Sequence, residues 1–211
     1  MILLICPGIH EPQLTQDFLI GLRQSKTSSD WTHNVLIFPT QNYPAYSAGQ
    51  IVEFLQHNLS VEQGGVVFIS FSAGVVGAIG AAWMWQLLGG KVEAFFAIDG
   101  WGVPLFGNFP IHRLSHDYFT HWSSRLLGAG EDSFYAVPPI AHLDIWRSPH
   151  LCQGWWVHLE EGSIPEQRTY ITAAEFINKR IELLIPNIMS GKSPVIKISP
   201  RPRVSVSPRQ S

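Results

Sequence analysis

Residues 66–80, VVFISFSAGVVGAIG, decide the fold. Val66, Val67, Phe68 and Ile69 form an apolar run of strand length, whereas the residues from Ala73 onward are small, apolar and free of turn dipeptides, as a packed helix requires. Ser72 then stands on the turn between them. The run belongs to a longer stretch, residues 64–90, in which 27 residues carry no charge, a length that also suffices for a bilayer span. The tandem Gly64 and Gly65, the β-rich first half and the serines on either side of Phe71 favour a strand followed by a fully buried helix.

The same alternation extends in both directions. Residues 2–6 read as a short apolar strand, followed by Leu14, Phe18, Leu19 and Leu22 at helical spacing. A second strand over 35–38 precedes Ile51, Val52, Phe54, Leu55 and Leu59, with Ser47 as the expected N-cap of that helix. Residues 92–98 read as a further strand, then comes a long irregular insertion over about 100–132, then the strand SFYAV at 133–137. Thr172 and Glu175 form a capping box that opens a last helix through Phe176, Ile177, Ile181 and Leu184. About five strands separated by helices predict an α/β chain: one domain, a parallel sheet covered on both faces, a three-layer sandwich.

With 45% apolar and 14% charged residues in a chain of 211, a sizeable core is available and wholesale disorder is excluded. The formal charge of −2 hides an asymmetry, because residues 191–211 hold five of the 14 basic residues and none of the 16 acidic ones, leaving 9 − 16 = −7 on the rest. An acidic body offers no broad field for nucleic acid. The Pro-, Ser- and basic-rich composition of 191–211 predicts a disordered tail behind a domain over 1–190, whose partner the sequence leaves open. Two cysteines, Cys6 and Cys152, are too few for a disulfide framework, and the N-terminal residues lack a basic region ahead of their short apolar run, so a cytoplasmic location is expected.

Ser70-Phe71-Ser72-Ala73-Gly74 resembles the nucleophile elbow of the α/β-hydrolase family, in which a serine on a strained strand-to-helix turn exposes its hydroxyl. The resemblance covers roughly residues 1–186 and is nearest to small members such as minimal lipases and cutinases. Small residues are required two positions before and two after, where strand and helix approach closely, and Ser70 stands here in place of the first glycine. The segment LLICPGIHEP at 3–12 is similar to the family's first strand and oxyanion loop, with Pro7 in place of the usual histidine. The resemblance makes Ser72 the nucleophile and the backbone N–H groups of Ile9 and Ala73 the oxyanion donors.

In the family order, acid and base follow the serine at strand ends. Asp99 follows the strand at 92–98 and His142 follows the strand at 133–137; this pair is preferred. A second pair, Asp144 with His158, stays open if GWWVH at 154–158 is a further strand, and Asp132 and Asp117 are weaker acids. Within the insertion, Trp101, Leu105, Phe106, Phe109 and Trp122 are candidates for an acyl-pocket wall. His112, His116 and His121 with Asp117 raise a metal site, because histidines at i and i+4 share a helix face; hydrogen bonding to the backbone of a long ordered loop is the preferred account. The resemblance implies a serine hydrolase of a small-molecule carboxylic ester or thioester, working through an acyl-enzyme with no cofactor and no metal. The rival expectation is a hydrolase-like binding module without turnover.

Overall fold

Strand periodicity sorts the core into two halves. In the computed structural model, which describes residues 1–25, 34–62, 64–128, 130–158 and 167–184, β1 (Ile2–Cys6) sends Leu3 and Ile5 to one cluster and Leu4 and Cys6 to the other. β3 (Val66–Phe71) divides in the same way, Val67, Ile69 and Phe71 against Val66 and Phe68. Such alternation, apolar on both sides, is the mark of a sheet buried on both faces.

The remaining strands are β2 (Val35–Ile37), β4 (Val92–Ile98), β5 (Ile111–Ser115), β6 (Asp132–Ala136), β7 (Gln153–His158) and β8 (Gln167–Thr172). They form one sheet in the order β2-β1-β3-β4-β5-β6-β7-β8. The pairings from β2 to β6 are parallel, and β7 and β8 are added antiparallel. α1 (Pro12–Gln24) and α6 (Ala173–Leu184) place Phe18, Leu22, Phe176 and Ile181 in one core cluster. α2 (Ala48–Asn58) and α3 (Ala73–Leu87) place Ile51, Leu55, Val75 and Trp85 in the other.

Among the described residues the sheet has eight strands, not about five. The segment read as an irregular insertion contains β5 and α4 (Tyr118–Arg125). β5 carries His112, Arg113 and Ser115, too polar to be recognised as a buried strand, yet all three are buried, and His112 and Arg113 have partners there. Arg113, for example, donates from Nη2 to the Leu127 carbonyl at 3.1 Å, which removes the penalty of a buried unpaired donor. The capping box at α6 forms reciprocally: Thr172 N–H donates to Glu175 Oε2 at 2.8 Å and Glu175 N–H to Thr172 Oγ1 at 3.1 Å. Ser47 stands at the N-cap of α2, but its side chain makes no capping bond. The uncharged stretch at 64–90 is divided between β3 and the 15-residue α3, and among the described residues no helix is long and apolar enough to cross a membrane. The tail at 191–211 and the domain limit at 190 lie outside the described residues.

Candidate active site

Parallel strands put their carboxyl ends on one edge, and four of them deliver the polar side chains that meet there. Ser72 follows β3 as the N-cap of α3 with φ 52° and ψ −123°, a conformation that non-glycine residues adopt only when their surroundings enforce it. The enforcement is visible on both sides. A Cβ at Gly74 would collide with the carbonyl oxygens of Cys6 and Pro7, and one at Gly8 would come within 3.1 Å of the Ser72 Cβ. The strand, the helix and the loop leaving β1 are thus in backbone contact around the serine. Ser70 meets the steric demand in its own way: its buried hydroxyl donates to the Phe96 carbonyl of β4 at 2.7 Å.

Asp99 follows β4 and also has positive φ, 51°. Among the described residues, Ser72 and Asp99 are the only non-glycine residues so held. His142, in the loop after β6, joins them: its Nδ1 lies 2.8 Å from Asp99 Oδ2 and its Nε2 3.1 Å from Ser72 Oγ. A carboxylate can only accept, so the bond to Asp99 puts the proton on Nδ1 and leaves the Nε2 lone pair facing the serine hydroxyl. The ring is also held from its face. Phe71 stacks on His142 at 4.8 Å between centroids, Trp146 on Phe71 at 4.9 Å, and Phe18 on Trp146 at 3.8 Å, an aromatic column running into the core.

Sequence reasoning missed the role of His116. It follows β5, the strand hidden in the insertion, and binds Asp99 twice, through its backbone N–H to Oδ1 at 2.9 Å and its Nδ1 to Oδ2 at 2.8 Å. Its Nε2 lies 3.5 Å from Asp117 Oδ2. Burial by itself would raise the Asp99 pKa, but the bonds from His116 and His142 and the charge of His116 outweigh it and hold the carboxyl below its usual value. The bond to Asp99, with the charges of Asp99 and Asp117, raises His116 above an ordinary histidine against a smaller opposing effect of burial.

A cavity of about 340 Å³ opens over these groups, lined by Ser72, Ala73, Val76, Asp99, Trp101, Val103, His116, Thr120 and His142, a volume suited to a small-molecule ligand. Of the expected acyl wall only Trp101 lines it. Leu105 and Phe109 are buried in the core, and Phe106 and Trp122 are exposed. Ala73 opens α3, so its N–H has no intrahelical acceptor. Ile9 is exposed in the loop after β1, next to Gly8. Burial pushes the Cys152 thiol up to about 12, with Asp99 and Asp144 adding to the effect, and burial raises Cys6 as well. Neither sulfur is a nucleophile near neutral pH.

The second acid–base pair does not assemble. GWWVH is a strand, but an antiparallel one, so His158 at its end pairs with Asp132 at the start of β6 and lies at the edge of the sheet opposite Ser72. Asp144 faces Arg147 at 3.0 Å. The three histidines of the insertion also separate, since 112–115 is strand rather than helix. His112 bonds Asp132, His121 bonds the Ser133 hydroxyl, and Asp117 caps α4 by accepting from Thr120 N–H. Asp99, His116 and His142 do bring ligand atoms within 4.8 Å of one another. Each histidine Nδ1 already donates to Asp99, which assigns these atoms to hydrogen bonds.

No protein-family model matches this chain, and no curated protein matches it, so the reading of the site rests on its geometry.

Proposed function

We propose that the chain is a serine hydrolase of the α/β-hydrolase kind, cleaving a small-molecule carboxylic ester or thioester through an acyl-enzyme. The observation that carries this reading is the unbroken relay from Ser72 Oγ through the His142 ring to Asp99, with bonds of 3.1 and 2.8 Å, at the floor of a cavity. His142 Nε2 takes the hydroxyl proton while Ser72 Oγ bonds the acyl carbon, and the carbonyl electron pair moves onto oxygen. The oxyanion is received by the N–H of Ala73 and the N–H of Ile9. Collapse of the tetrahedral species breaks the bond to the alcohol or thiol, which leaves with the proton from His142. Water then repeats the sequence: His142 removes its proton, the hydroxyl attacks the acyl carbon, and the acid departs as Ser72 recovers its hydrogen. Asp99 stabilises the imidazolium in both halves.

The rival, a binding module without turnover, draws on Ser70 and Pro7 where the family has glycine and histidine. The Ser70 bond to Phe96 weakens that argument, because it gives the serine a structural role compatible with the turn. The acidic body supports a small molecule rather than nucleic acid as partner, and two buried free cysteines support a reducing compartment such as the cytoplasm. A fluorophosphonate tests the reading without knowledge of the substrate: the wild-type chain should be labelled and Ser72→Ala should not. Labelling that persists in Ser72→Ala removes the nucleophile, and a folded wild type that stays unlabelled favours the binding module.

A further inference from the structure

Asp99 accepts more than a His142 orienter requires. Its Oδ2 receives both His142 Nδ1 and His116 Nδ1, each at 2.8 Å, and its Oδ1 receives the His116 backbone N–H at 2.9 Å. On its other side His116 holds the loop that carries His142, since the His116 carbonyl accepts from Ile140 N–H at 3.1 Å. The two imidazoles stand edge to face with centroids 5.9 Å apart. One residue therefore touches the acid by two bonds and the base-bearing loop by a third.

We infer that His116 is a positioning residue, fixing the Asp99 carboxylate at the loop of His142 and limiting, by sharing Oδ2, the negative field that Asp99 offers the His142 ring. This rests on the proposed roles of Asp99 and His142. A carboxylate oxygen that accepts from a second donor is a weaker partner for the first, and a protonated His116 adds a positive charge beside the ring that must itself become positive. Besides Asp99 and His142, the titratable groups around this cluster are Asp117, 3.5 Å from His116 Nε2, and Cys152, a buried thiol on which Asp99 and Asp144 both act. Asp117 favours a charged His116. Cys152 is neutral near pH 7, its thiol pushed up to about 12. Removing the His116 side chain would leave Asp99 Oδ2 to His142 alone, which favours the charged form of that ring.

His116→Ala and His116→Asn separate the effects, because asparagine keeps a side-chain N–H for Asp99 while losing the charge and the ring with its contacts to His142 and Asp117. The first readout is the titration of the His142 ring followed by NMR in the full chain, which needs no turnover. The midpoint of His142 should rise by roughly one pH unit in His116→Ala, with His116→Asn between it and the wild type. A midpoint that is unchanged or falls in both folded variants overturns the inference. The second readout is the pH dependence of fluorophosphonate labelling, whose acid limb should move to higher pH in the same order; an acid limb that stays fixed while the NMR midpoint moves also overturns it. A wild type that is never labelled counts against the hydrolase reading alone, and the NMR titration still decides the role of His116. If the alanine variant does not fold, the comparison of His116→Asn with wild type decides it.

Discussion

Ser72 is held at φ 52°, ψ −123°, well outside the small left-handed well that Asn and Asp tolerate. Backbone strain of this kind costs on the order of 1–3 kcal/mol and persists only where neighbouring structure over-determines it. Here the constraint comes from the carbonyls of Cys6 and Pro7 against Gly74, and from Gly8 against the serine itself. Glycine has no Cβ to oppose that φ. Ser72→Gly should therefore be more stable than Ser72→Ala by about 1 kcal/mol in urea unfolding, the relief of strain exceeding glycine's extra unfolded-state entropy. Equal stabilities, or a less stable glycine variant, would show that the turn is unstrained. The measurement is independent of catalysis, since both variants lack the hydroxyl.

Between elements, the decisive contact joins the ends of β4 and β5 through Asp99 and His116, and its pH dependence follows from the direction of each shift. Asp99 lies below the 3.8 of an ordinary aspartate, so its contribution is present above that pH and is lost as the pH falls through the lower folded value. His116 lies above 6.5, so its contribution is complete below 6.5 and is lost as the pH rises through the raised folded value. The pair supports the fold most between these limits. The difference in melting temperature between wild type and His116→Ala should accordingly be larger at pH 5.5 than at pH 9; a difference that grows toward pH 9 would contradict the assignment. This contact was not legible in the sequence, although both of its residues were. The apolar strands β1, β3 and β4 announce themselves because both faces are buried, and the Thr172–Glu175 box announces α6. β5 is hidden by His112 and Arg113, polar residues whose burial depends on partners supplied by β6 and by residues 127–128. β8 is hidden by its exposure, since residues 167–170 all face solvent. With β5 unseen, His116 could not be recognised as a strand-end residue beside Asp99, whereas His142 could, because β6 keeps the apolar core of its pattern.

At the scale of the molecule, the sheet carries a histidine-bonded aspartate at each of two opposite edges, Asp99 and Asp132, and topology decides which of them is linked to Ser72. The six parallel strands direct Asp99, His116 and His142 to the carboxyl edge with Ser72. The reversal at β7 brings its end to the amino edge, where Asp132 accepts from His112 and from Trp156 Nε1 at 2.8 Å and forms an ion pair with Arg180. Arg180 in turn covers the Trp156 ring, 4.7 Å from its centroid. Asp132 is buried and fully engaged, so its chemistry is cohesion between β5, β6, β7 and α6. Removing one member of a buried charged cluster strands the others, a loss of about 3–5 kcal/mol. Asp132→Asn should therefore lower urea stability by that order while leaving short-chain ester turnover per folded molecule within about threefold, since a buried structural pair acts on stability rather than on the transition state. Asp99→Asn should do the reverse, with turnover down on the order of 10⁴-fold, and Asp99→Asn combined with His142→Ala should be little worse than His142→Ala alone, because the two act as one unit. His158→Ala, at the amino edge, should leave turnover intact. Turnover abolished by Asp132→Asn or His158→Ala in folded protein, with Asp99→Asn still active, would move the chemistry to the other edge of the sheet, away from Ser72.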